Sequence, residues 1–161
     1  MTDRLAALSA LVNYSENSCD CLPLNKFFES YQHNALVIDK WFALQASSVQ
    51  TELKHVKGLM AHPAFNLTNP NRARSLIFQF CLNNIRGFHR PDGKSYTFWA
   101  DQVLQLDEFN PEIAARLARI LDNWTHYAEP YQSLMKGALE QIAAQENISK
   151  NLREIVNKTL A

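Results

Sequence analysis

The sequence predicts an all-α fold, and three observations carry that prediction. Apolar residues recur at spacings of three and four through most of the chain, which is the signature of amphipathic helices. Only 4 glycines and 6 prolines occur in 161 residues, too few to turn a many-stranded sandwich or barrel. Two Asn-Pro pairs each place a good N-cap directly before a proline suited to the first helical position. A chain of this length buries roughly 68 to 70% of its unfolded surface, so one domain over 1–161 needs neither disulfides nor metals to hold a core. With 47% hydrophobic residues, disorder is excluded.

The elements follow in order. Leu5, Leu8, Leu11 and Val12 share one face of a first helix that ends near Asn13. The polar stretch from Ser15 to Leu24, with Pro23, reads as a loop, and Phe27, Phe28 and Tyr31 open a second, shorter helix. Val37, Ile38, Trp41, Phe42 and Leu44 mark a third. Val49, Leu53, Val56, Leu59 and Met60 mark a fourth, which stops at His62-Pro63 because the residue before a proline avoids the helical region. Asn69-Pro70 starts a helix through Leu76, Ile77 and Phe80 to about Leu82, and Asn83 to Lys94 is a long loop with an Asp92-Gly93 turn. Tyr96, Trp99, Val103 and Leu106 give the next helix, and Asn110-Pro111 starts one through Ile113, Leu117, Ile120, Leu121 and Trp124. Stripes over Tyr131–Ala143 and Leu152–Leu160 complete a run of short antiparallel helices, which can fold as a bundle or stack pairwise as an irregular α-solenoid of the HEAT or armadillo kind.

Sixteen Lys plus Arg balance sixteen Asp plus Glu, so the chain lacks the basic field of a nucleic-acid or anionic-membrane binder; neither partner is expected. No stretch is apolar enough to cross a bilayer, and Met1 to Val12 has no basic region or cleavage site of a secretory leader. Three cysteines, Cys19, Cys21 and Cys81, make an odd count without the spacing of a disulfide or zinc framework, which fits a reducing cytoplasm. The five histidines show no i, i+4 pair around a glutamate, and no phosphate loop or nucleophile elbow occurs. The chain is therefore expected to hold no metal, no cofactor and no catalytic centre of its own.

One electrostatic feature stands out. Arg72 and Arg74 lie in the first turns of the helix begun by Asn69-Pro70, where the positive end of the helix dipole disfavours a cation by about 0.3 to 1 kcal/mol. Arg86, Arg90, Arg116 and Arg119 follow in the same region of sequence. Each reads either as a solvated arginine beside a neighbouring acid or as part of a surface for a carboxylate.

Several strings carry a resemblance: DKWF and LQA (Asp39 to Ala46), HPAFNLTNPNRARSLI (His62 to Ile77), FH followed by DG and Y (Phe88, His89, Asp92, Gly93, Tyr96), NPEIAARL (Asn110 to Leu117) and the closing KTLA. Together they resemble the C-terminal end of bacterial aminopeptidase N, a family of zinc metallopeptidases, over essentially the whole chain. The resemblance implies a parent enzyme with a β-rich N-terminal domain, a thermolysin-like catalytic domain, a small β domain and a C-terminal helical solenoid closing over the active site. This chain would be the later part of that solenoid. The zinc, its ligands and the catalytic glutamate would lie upstream, so the chain alone would not hydrolyse peptides.

The resemblance further implies that Arg74 and Arg116 face the chamber and its substrate channel, while Arg72 and Arg119 carry no such implication. The partners it implies are the catalytic domain of the same polypeptide and the parent's peptide substrates. Cutting a solenoid exposes the face its neighbour covered. An apolar face on Leu5, Leu8 and Val12 is therefore expected, through which the isolated fragment would dimerise. A free-standing helical-repeat scaffold binding a protein partner shares every compositional feature and is the alternative.

Overall fold

The structure is a computed structural model that describes residues 2–14 and 22–161. Every regular element among these residues is helical, and they form two compact units, Met1–Gly87 and Phe88–Ala161. Cys19 and Cys21 lie outside the described residues.

In the first unit, α1 (Thr2–Tyr14), α2 (Leu22–Tyr31) and α3 (Ala35–Ala46) precede the short α4 (Leu53–Met60). A continuous helical stretch then runs through α5 (Pro70–Ala73), one π-helical turn (Arg74–Phe78) and α6 (Gln79–Asn83). Helix α3 is the centre: Val37, Ile38, Trp41, Phe42 and Ala46 are all buried, and it packs against α1, α2 and the Pro70–Asn83 stretch. A helix apolar over so much of its surface belongs in the interior. Asn34 caps it by accepting a bond from the Val37 N–H, and Asn69 caps the later stretch by accepting from the N–H groups of Asn71 and Arg72.

Within the first four helices three details depart from the sequence reading, and further on the short α7 (Ile85–Phe88) interrupts the loop expected over Asn83 to Lys94. Helix α2 begins at Leu22 rather than beyond Leu24, because Pro23 fits a first turn where its missing N–H is not needed. Helix α4 begins at Leu53, leaving Val49 exposed in the preceding turn. There Ser48 Oγ donates to the Val12 carbonyl and Thr51 Oγ1 to the Gln45 carbonyl, and such side-chain bonds compete with helix formation. The expected apolar face of the first helix is also corrected: Leu8 and Val12 are buried and Leu5 half-buried, with α1 packed on α3. The large apolar residues left outward on α1 are Leu11 and Tyr14.

Asn84 closes this unit. It is fully buried, its amide donates to the carbonyls of Ala46 (3.3 Å) and Thr51 (2.8 Å), and its Oδ1 accepts from the Gly87 N–H at 2.8 Å. One side chain thus ties the end of α3, the turn before α4 and the start of α7 (Ile85–Phe88). Gly87 permits the close approach, since a Cβ there would lie 2.5 Å from the Thr51 carbonyl oxygen.

The second unit holds α8 (Lys94–Asp107), α9 (Pro111–Ala118) extended by a 3₁₀ turn (Arg119–Leu121), a further 3₁₀ turn (Trp124–His126), α10 (Tyr131–Ala143) and α11 (Lys150–Leu160). Helix α8 packs on α9 and α10, and α11 packs on the same two. Trp99, fully buried on α8, donates its indole N–H to the Leu117 carbonyl of α9 at 3.0 Å. Asn110 caps α9 as its Asn-Pro pair predicts, accepting from the Ile113 N–H. The α-helix stops at Ala118, short of the expected Trp124, whose indole N–H instead donates to the Thr159 carbonyl near the end of α11. Before α8, Gly93 adopts φ +68°, and a Cβ there would sit 2.8 Å from Leu134 Cδ2.

Asn84→Ala removes three buried hydrogen bonds and strands their backbone partners, so a loss of about 2 to 4 kcal/mol in urea unfolding is expected. Exposed Asn83→Ala should stay within about 0.5 kcal/mol.

Candidate functional site

The six arginines separate by their surroundings, with Arg86 simply exposed on α7. Arg72 is buried, with Nη1 2.8 Å from Asp39 Oδ1 and its guanidinium carbon 5.2 Å from the Phe42 ring centre. The two charged atoms meet without an aligned hydrogen bond, so the contact is one of charge. This pair joins α3 to α5, and it accounts for a cation in the first turn of a helix: Asp39 offsets the unfavourable dipole. The guanidinium also lies over an aromatic ring, which adds a cation–π attraction. Arg72 is therefore structural.

Arg90, Arg116 and Arg119 pair with Asp92 (3.7 Å), Glu112 (2.6 Å) and Asp122 (3.8 Å), all on exposed or half-buried surface. Such exposed pairs contribute about 0.2 to 1 kcal/mol each. Arg74 is exposed with no ion pair among the described residues, one helical position from the buried Ala73, at the start of the π-helical turn. π-Helical turns concentrate at functional sites. Arg74 and Arg116 are thus both solvent-facing guanidiniums; the first is free to bind a carboxylate and the second shares its charge with Glu112. Arg74 belongs to the first compact unit and Arg116 to the second.

Two histidine-centred aromatic clusters went unnoticed in the sequence. In the first unit, His62 packs among Phe28 (4.8 Å between ring centres), Trp41 (5.3 Å) and Phe42 (6.0 Å). Burial, and then the Arg72 charge, hold its pKa below the usual histidine value. In the second, His89 Nδ1 lies 2.8 Å from the Tyr96 hydroxyl, and Tyr127 stacks on the imidazole at 5.0 Å. Burial, then the neighbouring Tyr127 and Tyr131, push the Tyr96 phenol up, so it stays protonated beside the imidazole. Burial lowers His89 as well. His62, His89 and Tyr96 stand in the strings quoted above, yet their periodicity could not reveal that loop residues would meet helix residues there. In α6, burial raises the Cys81 thiol far above its ordinary pKa, which makes it unreactive.

Among the described residues no three His, Cys, Asp or Glu side chains come together in a way that could hold a metal ion. The zinc that the resemblance implies for the longer enzyme finds no ligand set among the described residues.

A family model described as a domain of unknown function, DUF3458_C, with ARM repeats, matches residues 1–161 and spans both compact units. The chain belongs to this family. Its all-helical architecture is that of an ARM-repeat α-solenoid. The curated relatives it matches are named aminopeptidase N. Those of Haemophilus influenzae, Caulobacter vibrioides and Escherichia coli are 44%, 40% and 41% identical over 161, 165 and 162 residues. The match takes in 99 to 100% of this chain and 18% of each relative. A crystal structure of Legionella pneumophila aminopeptidase A in complex with aspartic acid superposes with a TM-score of 0.91 at 30% identity, covering 99% of this chain and 19% of that one. The chain thus spans less than a fifth of the length of these relatives, and the resemblance to aminopeptidase N read from the sequence stands.

Two outcomes are expected from the buried groups. Asp39→Ala leaves the Arg72 guanidinium buried and uncompensated, at a loss of about 3 kcal/mol, whereas Asp39→Leu combined with Arg72→Met should lose clearly less; denaturant unfolding of the three proteins compares them. A histidine whose folded pKa lies below its unfolded value binds fewer protons when folded, so its contribution is complete above about pH 6.5. That contribution falls as pH drops from there through the folded pKa. Stability measured from pH 8 to 5 should decline in that window, and His89→Gln should flatten the slope.

Proposed function

We propose that this chain is the C-terminal part of a cytoplasmic, zinc-dependent aminopeptidase that releases N-terminal amino acids from peptides, and that it walls the substrate chamber without doing chemistry itself. The observation that carries this reading is the match along 99 to 100% of the chain, at 40 to 44% identity, to aminopeptidase N proteins of which it spans 18%. The zinc and the catalytic residues would stand in the remaining polypeptide, which makes the catalytic domain of the same chain its first partner. No helix among the described residues is long and apolar enough to cross a membrane, in keeping with an enzyme working in the cytoplasm.

Within that reading, Arg74 and Arg116 face the channel and bind the C-terminal carboxylate of a short peptide. Arg74 is suited to this by its unpaired, exposed guanidinium, since a guanidinium fork matches a carboxylate with two parallel hydrogen bonds. Arg116 is weaker in the same task, because Glu112 already occupies one of its terminal nitrogens at 2.6 Å.

Two measurements test the reading. The intact mass of the native polypeptide should far exceed the 18.4 kDa of this chain; a species of that small mass would point to a free-standing scaffold. In the full-length enzyme, Arg74→Ala should lower kcat/KM for dipeptides and tripeptides about 10-fold, the loss of one charge-assisted contact, and leave amino-acid amides, which lack the carboxylate, within about 2-fold. Arg116→Ala should act in the same direction but less. Equal losses on both substrate classes would count against a carboxylate-binding role.

A further inference from the structure

From Arg72 to Ile77 the chain is buried at every position but one. Arg72, Ala73, Ser75, Leu76 and Ile77 are enclosed, and Arg74 alone reaches solvent. In an unbroken α-helix, at about 100° per residue, position 81 falls within about 20° of position 74. Arg74 would then share its face with Cys81, which is buried. The π-helical turn (Arg74–Phe78) removes that conflict, because such a turn amounts to one extra residue and puts the stretches on either side out of phase by about 100°. Arg74 and Cys81 then stand about 120° apart around the axis.

The turn is anchored where it begins. Arg72 is held by Asp39 Oδ1 at 2.8 Å and by the Phe42 ring, and Ser75 Oγ donates to the Arg72 carbonyl at 3.0 Å. Serine bonds of this kind to the preceding helical turn bend a helix away from regular α geometry. The Arg74 N–H donates back to the carbonyls of Asn71 and Pro70, and the Arg74 carbonyl accepts from the Gln79 N–H. The Ser75–Arg72 bond therefore closes around Arg74. With no ion pair among the described residues to hold its guanidinium, Arg74 takes its direction from this backbone.

We infer that Ser75 is a positioning residue: its hydroxyl, bonded to the Arg72 carbonyl, keeps the π-helical turn in the form that presents Arg74 to the C-terminal carboxylate of a short peptide. The inference rests on the carboxylate-binding reading of Arg74 proposed above. Ser75 is buried and acts through Arg74.

The test compares Ser75→Ala, Arg74→Ala and the double variant in the full-length enzyme. The readout is the ratio of kcat/KM for tripeptides to kcat/KM for amino-acid amides. That ratio does not depend on how much of the enzyme is folded, so lost stability neither mimics nor masks the effect. Ser75→Ala should lower it about 3-fold, chiefly by raising KM for the tripeptide. Ser75→Cys, close in size and a weaker donor, should lower it less and serves where the alanine variant does not fold. In the Arg74→Ala background, Ser75→Ala should change the ratio no further, because the group it positions is gone. An unchanged ratio in both Ser75 variants, or a fall of the same size with and without Arg74, would overturn the inference. Should Arg74→Ala itself leave the ratio unchanged, the carboxylate reading fails and takes this inference with it; where Arg74→Ala lowers the ratio and the Ser75 variants do not, only this inference fails.

Discussion

Short helices cannot hold themselves, and that constraint governs both units. The longest helix among the described residues, α8, has 14 residues, near the lower limit at which an isolated helix is even marginal in water. Each element therefore depends on packing and on partners for the unpaired polar groups at its ends. The chain's three tryptophans answer this in the same way. Trp41 donates its indole N–H to the Leu24 carbonyl, Trp99 to that of Leu117 and Trp124 to that of Thr159. Each places a large apolar ring against a neighbouring helix and pins that helix by its main chain.

Polar side chains extend the same principle. Asn84 holds two carbonyls and one N–H, and Asp107 accepts from both the N–H and the hydroxyl of Ser149, so that the start of α11 is fixed to the end of α8. Ser149 in turn accepts from the Leu152 N–H and caps α11. The Asp39–Arg72 pair does for α3 and α5 what these bonds do elsewhere, with charge in place of aligned hydrogen bonds. This division leaves Arg74 exposed and without an ion pair among the described residues, and a surface charge so placed is open to a ligand.

Much of this was legible in the sequence, for reasons that can be stated. Asn69-Pro70 and Asn110-Pro111 begin helices because capping is local chemistry, complete within four residues. The apolar stripes placed Trp41, Phe42, Leu76, Ile77, Trp99 and Leu139 in the core because periodicity reports burial. What could not be read involves partners far apart in the chain. Asp39 lies 33 positions before Arg72, and nothing local reveals that a carboxylate on one helix offsets a cation on another. Separation likewise concealed the end of α9, where Trp124 leaves the helical path for a carbonyl 35 residues on, while the Tyr96–His89 contact, only 7 positions apart, was concealed by the turn that brings loop against helix. The outward face of α1 was misassigned because Leu8 and Leu11 share one stripe in sequence. In the folded unit Leu8 is buried while Leu11 stays exposed.

The burial of Cys81 makes it a native clock for the first unit. Its thiol lies inside α6, fully enclosed and held in the unreactive protonated form, so an alkylating reagent reaches it only when α6 swings away from α3. Where closing outpaces alkylation, the rate of its modification equals the open fraction multiplied by the intrinsic rate for a free thiol. The protein thus carries, without any added label, a gauge of what share of the time this thiol is uncovered.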